Sequence, residues 1–382
     1  MIKLVTIIGA RPQIIKAAAL SRAIQQHYND SIREVIVHTG QHYDENMSQV
    51  FFDELGIPAP DYNLNTGSGS HGKQTASMIS GIEEILLTEK PNGIVLYGDT
   101  NSTLAGAIAA SKIHVPIVHI EAGLRSFNKA MPEEINRIMC DHASTLLFSP
   151  TKTGFVNLQN EGFKLNNEAP YTADNPKIYH SGDVMYDNSL YFSDVAEKKT
   201  NILQELQLVS GDFVLATIHR NNNTDEPARL NALFSALQRI SEEKQTTVVL
   251  PLHPRTAKLL QHNLNPELYK RVSENKRMKL IEPVSFLEMI ALEKNCSIVM
   301  TDSGGVQKEA FYFKKPCVIL RPETEWVELV ICGSAIIADA DEARILDAYN
   351  NLISNKNLEY PPFYGNGNAA GFICSEMLAH LS

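Results

Sequence analysis

Short apolar runs separated by longer amphipathic segments set the pattern of this chain from its second residue onward. KLVTII, EVIVH, GIVLYG, PIVHIE, TLLFSP and KIYHSG are six such runs, each followed by polar or turn-forming residues and then by a stretch of helical period. Near-continuous apolar runs of this length are what strands buried on both faces look like, and alternation with helices predicts a parallel sheet. A second series, FVLATIH, TTVVLPLH, MKLIEP, SIVMTD, CVILR and SAIIAD, repeats the arrangement. The pattern therefore predicts an α/β chain of two Rossmann-like domains, residues 1–182 and 183–365, divided near Gly182 where the loop around Asn166 to Pro176 and the sixth run end. The last segment, 366–382, reads as a terminal helix from Gly371 to Leu381 that crosses back to the first domain.

Open α/β sheets bind ligands outside the carboxyl ends of their strands, and two such domains in tandem are expected to present those ends across a cleft. The polar residues directly after the runs are then the ones to weigh: Arg11, Asp99, Glu121, His219, His253 and Ser303. Ser297 to Ala310, SIVMTDSGGVQKEA, predicts a strand at Ile298–Met300, a turn at Ser303-Gly304-Gly305 and a helix from Val306 to Phe313. Unpaired N–H groups and the helix dipole make such a start a phosphate cradle; the alternative is a tight turn that holds nothing.

The first turn, GARPQIIK, is not a dinucleotide fingerprint, because Arg11 and Pro12 occupy the ground of the second glycine; with Lys16 it offers two cations instead, for phosphate or sugar or for solvent. Gly67 to Lys73, GSGSHGK, nearly spells a P-loop, but Gln74 stands where Ser or Thr would hold magnesium and no strand precedes it. It reads as a glycine-rich loop before a helix that begins near Lys73. Asp99 and Glu121 directly follow buried strands, where a carboxylate is a helix cap or a site residue. Glu133 and Glu134 follow Pro132 at a helix start, and Glu133 has Arg137 one turn on as a pairing partner. Several carboxylates near one carbon serve as general acid and base. His219 precedes Arg220, and His253 precedes Pro254-Arg255; neither histidine has the companions of a metal centre, so no metal is expected.

Composition narrows the partners. The chain has 382 residues and a formal net charge of -10, which argues against nucleic-acid binding and requires any anionic ligand to meet locally placed cations. No run approaches the ~18 apolar residues of a membrane span, and Met1 leads straight into a strand without a secretory leader. The cysteines, Cys140, Cys296, Cys317, Cys332 and Cys374, are odd in number and scattered, as reduced core residues of a cytoplasmic protein would be.

GARPQIIK, TGQH, YGDTNST, HIEAGLRS, PEEINR, the post-strand His219-Arg220 and TDSGGVQKEA resemble, in order and spacing, the non-hydrolysing UDP-N-acetylglucosamine 2-epimerases over essentially the whole chain. The resemblance implies the glycosyltransferase-B architecture, no cofactor, usually a homodimer, and a UDP-sugar as substrate. It assigns Asp99, Glu121 and Glu133 to acid/base work and His219 as an essential histidine. Arg11 and Lys16 become cleft cations, Ser303, Gly304 and Gly305 phosphate-binding, Glu309 ribose-binding and Phe286, in EPVSFLEMI, uracil-binding; His253 and Arg255 join the UDP-binding set.

The implied reaction interconverts UDP-N-acetylglucosamine and UDP-N-acetylmannosamine by eliminating UDP to a glycal and adding it back with inversion at C2. Two segments depart from the family's common pattern: His219-Arg220-Asn221-Asn222-Asn223, and Thr324-Glu325-Trp326-Val327-Glu328. The latter, with LRSFNKAMPEE, looks more like the branch acting on UDP-2,3-diacetamido-2,3-dideoxyglucuronate. Gln41-His42-Tyr43-Asp44-Glu45-Asn46-Met47 departs from the compact motif of members regulated by a second substrate molecule. A glycosyltransferase of the same architecture and a catalytically inactive UDP-sugar sensor are the rival readings.

Overall fold

Each of the twelve apolar runs forms a strand. The computed structural model describes residues 1–40, 56–67, 69–252 and 254–382. Their Cα positions group into two units, Met1–Asn188 with Pro362–Ser382, and Ser189–Pro361; the first division falls inside the helix Val184–Lys199.

In the first unit, β1 (Ile2–Ile8), β2 (Ile32–His38), β3 (Tyr62–Asn63), β4 (Gly93–Tyr97), β5 (Ile117–Ile120), β6 (Leu146–Ser149) and β7 (Lys177–His180) form one sheet in the order β3-β2-β1-β4-β5-β6-β7. All its pairings are parallel, with β1 and β2 in register from Ile2 opposite Ile32 to Ile8 opposite His38. The sequence pattern omits β3, which has two residues and no apolar run of its own. One face of the sheet buries Val5, Ile7, Val35, Val37, Ile94 and Leu96 against Met78 and Ile82 of the helix His71–Glu89. Each such side chain contributes about 1.5–3 kcal/mol by leaving water, so this face is a main source of the unit's stability.

The second unit repeats the plan with β8 (Phe213–Thr217), β9 (Thr247–Pro251), β10 (Met278–Ile281), β11 (Ile298–Thr301), β12 (Cys317–Ile319) and β13 (Ala335–Ile337), ordered β10-β9-β8-β11-β12-β13 and again parallel. Strand order reverses between β1 and β4 in the first sheet and between β8 and β11 in the second. Those are the points where neighbouring crossovers run to opposite sides and leave a crevice at the carboxyl ends.

The helices beside the reversal points start where the sequence allows. Arg11–Ala23 carries Pro12 in its first turn, where a missing N–H is harmless; Ala10 cannot cap, and the Gln13 Oε1 accepts from the Gly9 and Ala10 amides instead. Gln13 Nε2 donates to the Tyr97 carbonyl and to Thr103 Oγ1, which fastens the β1 turn to the β4 turn. Gly304 and Gly305 are the first helical residues of Gly304–Tyr312, with Ser303 as N-cap, so the helix begins two residues before the expected Val306. The terminal helix is Ala369–Leu381; it lies on the first unit, where Asp187 accepts from the Ala369 and Ala370 amides, Tyr28 donates to the Gly371 carbonyl and Asn92 to that of Leu381.

Candidate active site

At the first reversal point, the turn after β1 places Lys16 one and a half turns into its helix, and its ammonium pairs with the Glu121 carboxylate. Both side chains are largely buried, at 13% and 12% exposure, so the pair is weakly screened. Gly98 after β4 has φ +60, and a Cβ there would stand 3.1 Å from both Glu121 Oε2 and Lys16 Nζ. The pair therefore fills the space that a side chain at this turn would need. Glu121 itself has φ +77, a left-handed backbone that costs a non-glycine residue of order 1–3 kcal/mol and persists only where its surroundings over-determine it. Its amide and that of Ala122 both donate to the Phe148 carbonyl.

Asp99 follows Gly98, and its Oδ2 lies 2.5 Å from Arg137 Nη2 on the helix Pro132–Ala143; Asn136 Nδ2 donates to the Asp99 carbonyl at 2.8 Å. Arg137 pairs with Glu134 and Asp99, not with Glu133 as helical spacing suggests. Arg137 Nη1 is 2.9 Å from Glu134, which also accepts from the Ser126 and Phe127 amides and the Ser126 hydroxyl, while Glu133 is exposed. Successive helical residues point about 100° apart, so only one of the two carboxylates turns inward. Burial opposes ionisation of Glu134, but these donors outweigh it and hold its carboxyl below the usual range. Arg11 is exposed at the start of its helix.

At the second reversal point the controlling group is Asp302, which the sequence reading did not single out. Its carboxylate is fully buried and accepts from the His219 amide at 3.1 Å, the Arg220 amide at 3.0 Å and Asn223 Nδ2 at 3.1 Å, with His219 Nδ1 2.9 Å from Oδ1. Burial opposes the charge; the His219 ring and the other donors outweigh it and keep the pKa below that of an ordinary aspartate. An ionised Asp302 fixes the proton on Nδ1 and leaves Nε2 as the working nitrogen of a ring that is 53% exposed. The only advance signal was a polar residue directly after a buried strand.

Ser303 makes no side-chain cap, and its amide donates to Thr301 Oγ1, so the amides left for an anion begin at Gly304. A Cβ on Gly304 would be 3.5 Å from Trp326 Nε1 and 3.8 Å from Arg321 Nη1. Arg321 is bidentate to Glu325, the Lys308 ammonium lies 4.2 Å from the centre of the Trp326 ring, and Thr324 Oγ1 donates to Gln307. The Thr324–Glu328 segment thus lines the start of this helix. Glu309 lies on the same helix, next to fully buried Glu293, whose pKa burial and the Glu309 carboxyl raise. Phe286 opens the helix Phe286–Asn295, with its ring edge-to-face on Phe192 at 5.2 Å. Arg255 grips Asp225 with two bonds of 2.6 and 2.7 Å and also reaches Asn221. His253 and the Gln41–Met47 segment lie outside the described residues. Gln74, on the helix His71–Glu89 that follows the glycine-rich loop, is structural: it donates to the Gly67 carbonyl and accepts from Asn101.

Gly123 closes the turn that carries Glu121. With φ +80 and a position where a Cβ would fall 2.3 Å from the Gly154 carbonyl oxygen, it tolerates no side chain. Gly123→Ala is expected to cost about 3 kcal/mol, from the left-handed backbone and the overlap together, and to lower the thermal midpoint by roughly 6–12 °C. An unchanged melting curve would show that the loop relaxes freely.

Among the described residues no helix is long and apolar enough to cross a membrane. The model of the UDP-N-acetylglucosamine 2-epimerase family matches residues 23–378. A Pseudomonas aeruginosa protein named UDP-2,3-diacetamido-2,3-dideoxy-D-glucuronate 2-epimerase is 48% identical over 380 residues, 99% of this chain and 100% of its own. A Methanococcus maripaludis UDP-N-acetylglucosamine 2-epimerase homolog is 47% identical, covering 96% of this chain and 97% of its own. The crystal structure of the Methanocaldococcus jannaschii UDP-GlcNAc 2-epimerase, in complex with UDP-GlcNAc and UDP, is 40% identical, covers 99% of each chain and superposes with a TM-score of 0.82. With two Rossmann-like units of the glycosyltransferase-B architecture and a match along nearly its whole length, the chain belongs to the UDP-N-acetylglucosamine 2-epimerase family, and is an isomerase.

Proposed function

We propose that the protein interconverts UDP-N-acetylglucosamine and UDP-N-acetylmannosamine by eliminating UDP to a 2-acetamidoglucal and adding it back with inversion at C2. The reading rests most on Asp99 and Glu121, two carboxylates with cations on them, gathered at the reversal point of the first sheet. The C2 hydrogen is not next to a carbonyl, so it leaves as a proton only if the C1–O bond breaks with it. A carboxylate among Asp99, Glu121 and Glu133 takes that proton, and one on the opposite face of the sugar returns a proton when UDP adds back. Departing UDP gathers negative charge, which the Gly304 and Gly305 amides, the Ser303 hydroxyl, His219, Arg11 and Lys16 offset. Glu309 accepts from the ribose, Phe286 meets the uracil, and Arg255 and His253 complete the nucleotide set. The active protein is a cytoplasmic homodimer.

A second reading, the diacetamido uronate epimerase, shares every step and differs in the sugar. It is favoured by the Pseudomonas aeruginosa relative and by the Thr324–Glu328 segment, which departs from the family's common pattern. Turnover in D2O tests both: label at C2 of UDP-N-acetylhexosamine is the expected result, and label only in the uronate would assign the second reading. UDP-sugar bound without label in either would leave a sensor or a glycosyltransferase.

A further inference from the structure

His119 lies at the middle of β5, two residues before Glu121, and is wholly buried. Its Nε2 is 2.8 Å from the carbonyl oxygen of Gly98, the residue before Asp99, and its Nδ1 is 2.6 Å from Asp141 Oδ1. A carbonyl oxygen only accepts, so Nε2 carries a proton. Asp141 is fully buried, and its other oxygen takes the Gly123 amide at 3.1 Å and Arg125 Nη2 at 2.7 Å, so the carboxylate is ionised and Nδ1 carries a proton as well. The ring is therefore an imidazolium. Burial opposes that charge, and the Cys140 sulfur and Asp141 outweigh it. Arg125, whose charge faces the same carboxylate, is also held by Glu161 at 2.6 Å, so two buried cations, His119 and Arg125, meet the Asp141 and Glu161 carboxylates.

The connectivity is specific to the carboxylate turns. Asp141 holds His119, two residues before Glu121, and the Gly123 amide, two residues after it. The strained backbone of Glu121 is thus clamped at both ends by a single carboxylate, and the same imidazolium reaches across to the Asp99 turn. We propose that His119 is a positioning residue for the epimerisation: its Nε2 bond to the Gly98 carbonyl locks the Asp99 and Glu121 turns into one fixed spacing, and Asp141 holds the ring in place for it. This rests on the carboxylate chemistry proposed above. The separation of two proton-transfer groups acting on one carbon is what such a lock would preserve.

Two substitutions divide the ring's functions. In His119→Asn the amide nitrogen stands near the Nδ1 position and keeps the Asp141 bond, but nothing reaches Gly98. In His119→Gln the nitrogen stands near Nε2 and keeps the Gly98 bond. His119→Asn is expected to lower kcat for C2 exchange at least ~30-fold with KM and UDP affinity within about 3-fold, and His119→Gln to recover most of that kcat. Equal kcat losses in both variants, a loss in affinity alone, or full turnover in folded His119→Asn would overturn the proposal. Folding of the variants is not required for the second measurement. In wild-type protein labelled with 15N-histidine, one ring is expected to show both nitrogens protonated at pH 8.5, and twelve neutral rings would end the argument. Failure of wild-type protein to exchange C2 at all would instead strike the proposed reaction and leave the labelled ring to be judged on its own.

Discussion

Glu121→Gln is expected to bind UDP as wild type does and to lose at least ~100-fold in turnover, the usual scale for a positioned acid or base. The glutamine is nearly isosteric, so it fits the enclosure between Lys16 and Gly98, and the left-handed backbone is held by the same Phe148 carbonyl and Asp141 clamp as before. What changes is charge. The Lys16 ammonium loses a buried partner, and no carboxylate remains at this turn to take or give a proton. Because the proposed UDP cradle is built on β8 and β11 of the other unit, nucleotide affinity measured by calorimetry should hold while C2 exchange collapses. Turnover retained within a few-fold would reduce Glu121 to a structural counterion for Lys16.

The second large effect is expected at His219. His219→Asn leaves an amide near Nδ1 to meet Asp302 and removes the exposed Nε2; Asp302 keeps the two backbone amides and Asn223, so the buried carboxylate is not stranded and the fold survives. If the imidazole acts on the departing phosphate, UDP release and C2 exchange should slow together, by about 10²–10³-fold, since removing one preorganised donor to developing charge costs that much. The two events belong to one elimination and are read in one experiment, by following free UDP and C2 label side by side. Normal glycal and UDP formation with C2 exchange lost would make His219 a proton carrier at carbon.

The strands were legible because burial on both faces writes an unbroken apolar run, and only Tyr62–Asn63, too short to write one, escaped. The ends of those strands were legible for the same reason: a polar residue after such a run stands out. What the sequence could not show is which charged groups meet. Arg137 had Glu133 and Glu134 within reach along the helix, and a third carboxylate, Asp99, arrives from 38 residues away. Helical spacing alone cannot rank partners that the sheet brings in. His119 was hidden differently, as one polar letter inside a core strand, and Asp141 as one of several charges on an amphipathic helix. Their contact depends on β5 lying beside β4 and under that helix, which is long-range information.

The terminal helix Ala369–Leu381 belongs to the first unit, yet it is made only after all of Ser189–Pro361 has been synthesised. The Ala369 and Ala370 amides that Asp187 accepts from, and the apolar face of Ile373, Cys374 and Met377, are missing from a nascent chain that already holds every strand of the first sheet. The second unit, continuous in sequence, has no such wait. On the ribosome the order of completion is therefore inverted: the first unit, whose strands are made earliest, is completed only after the second.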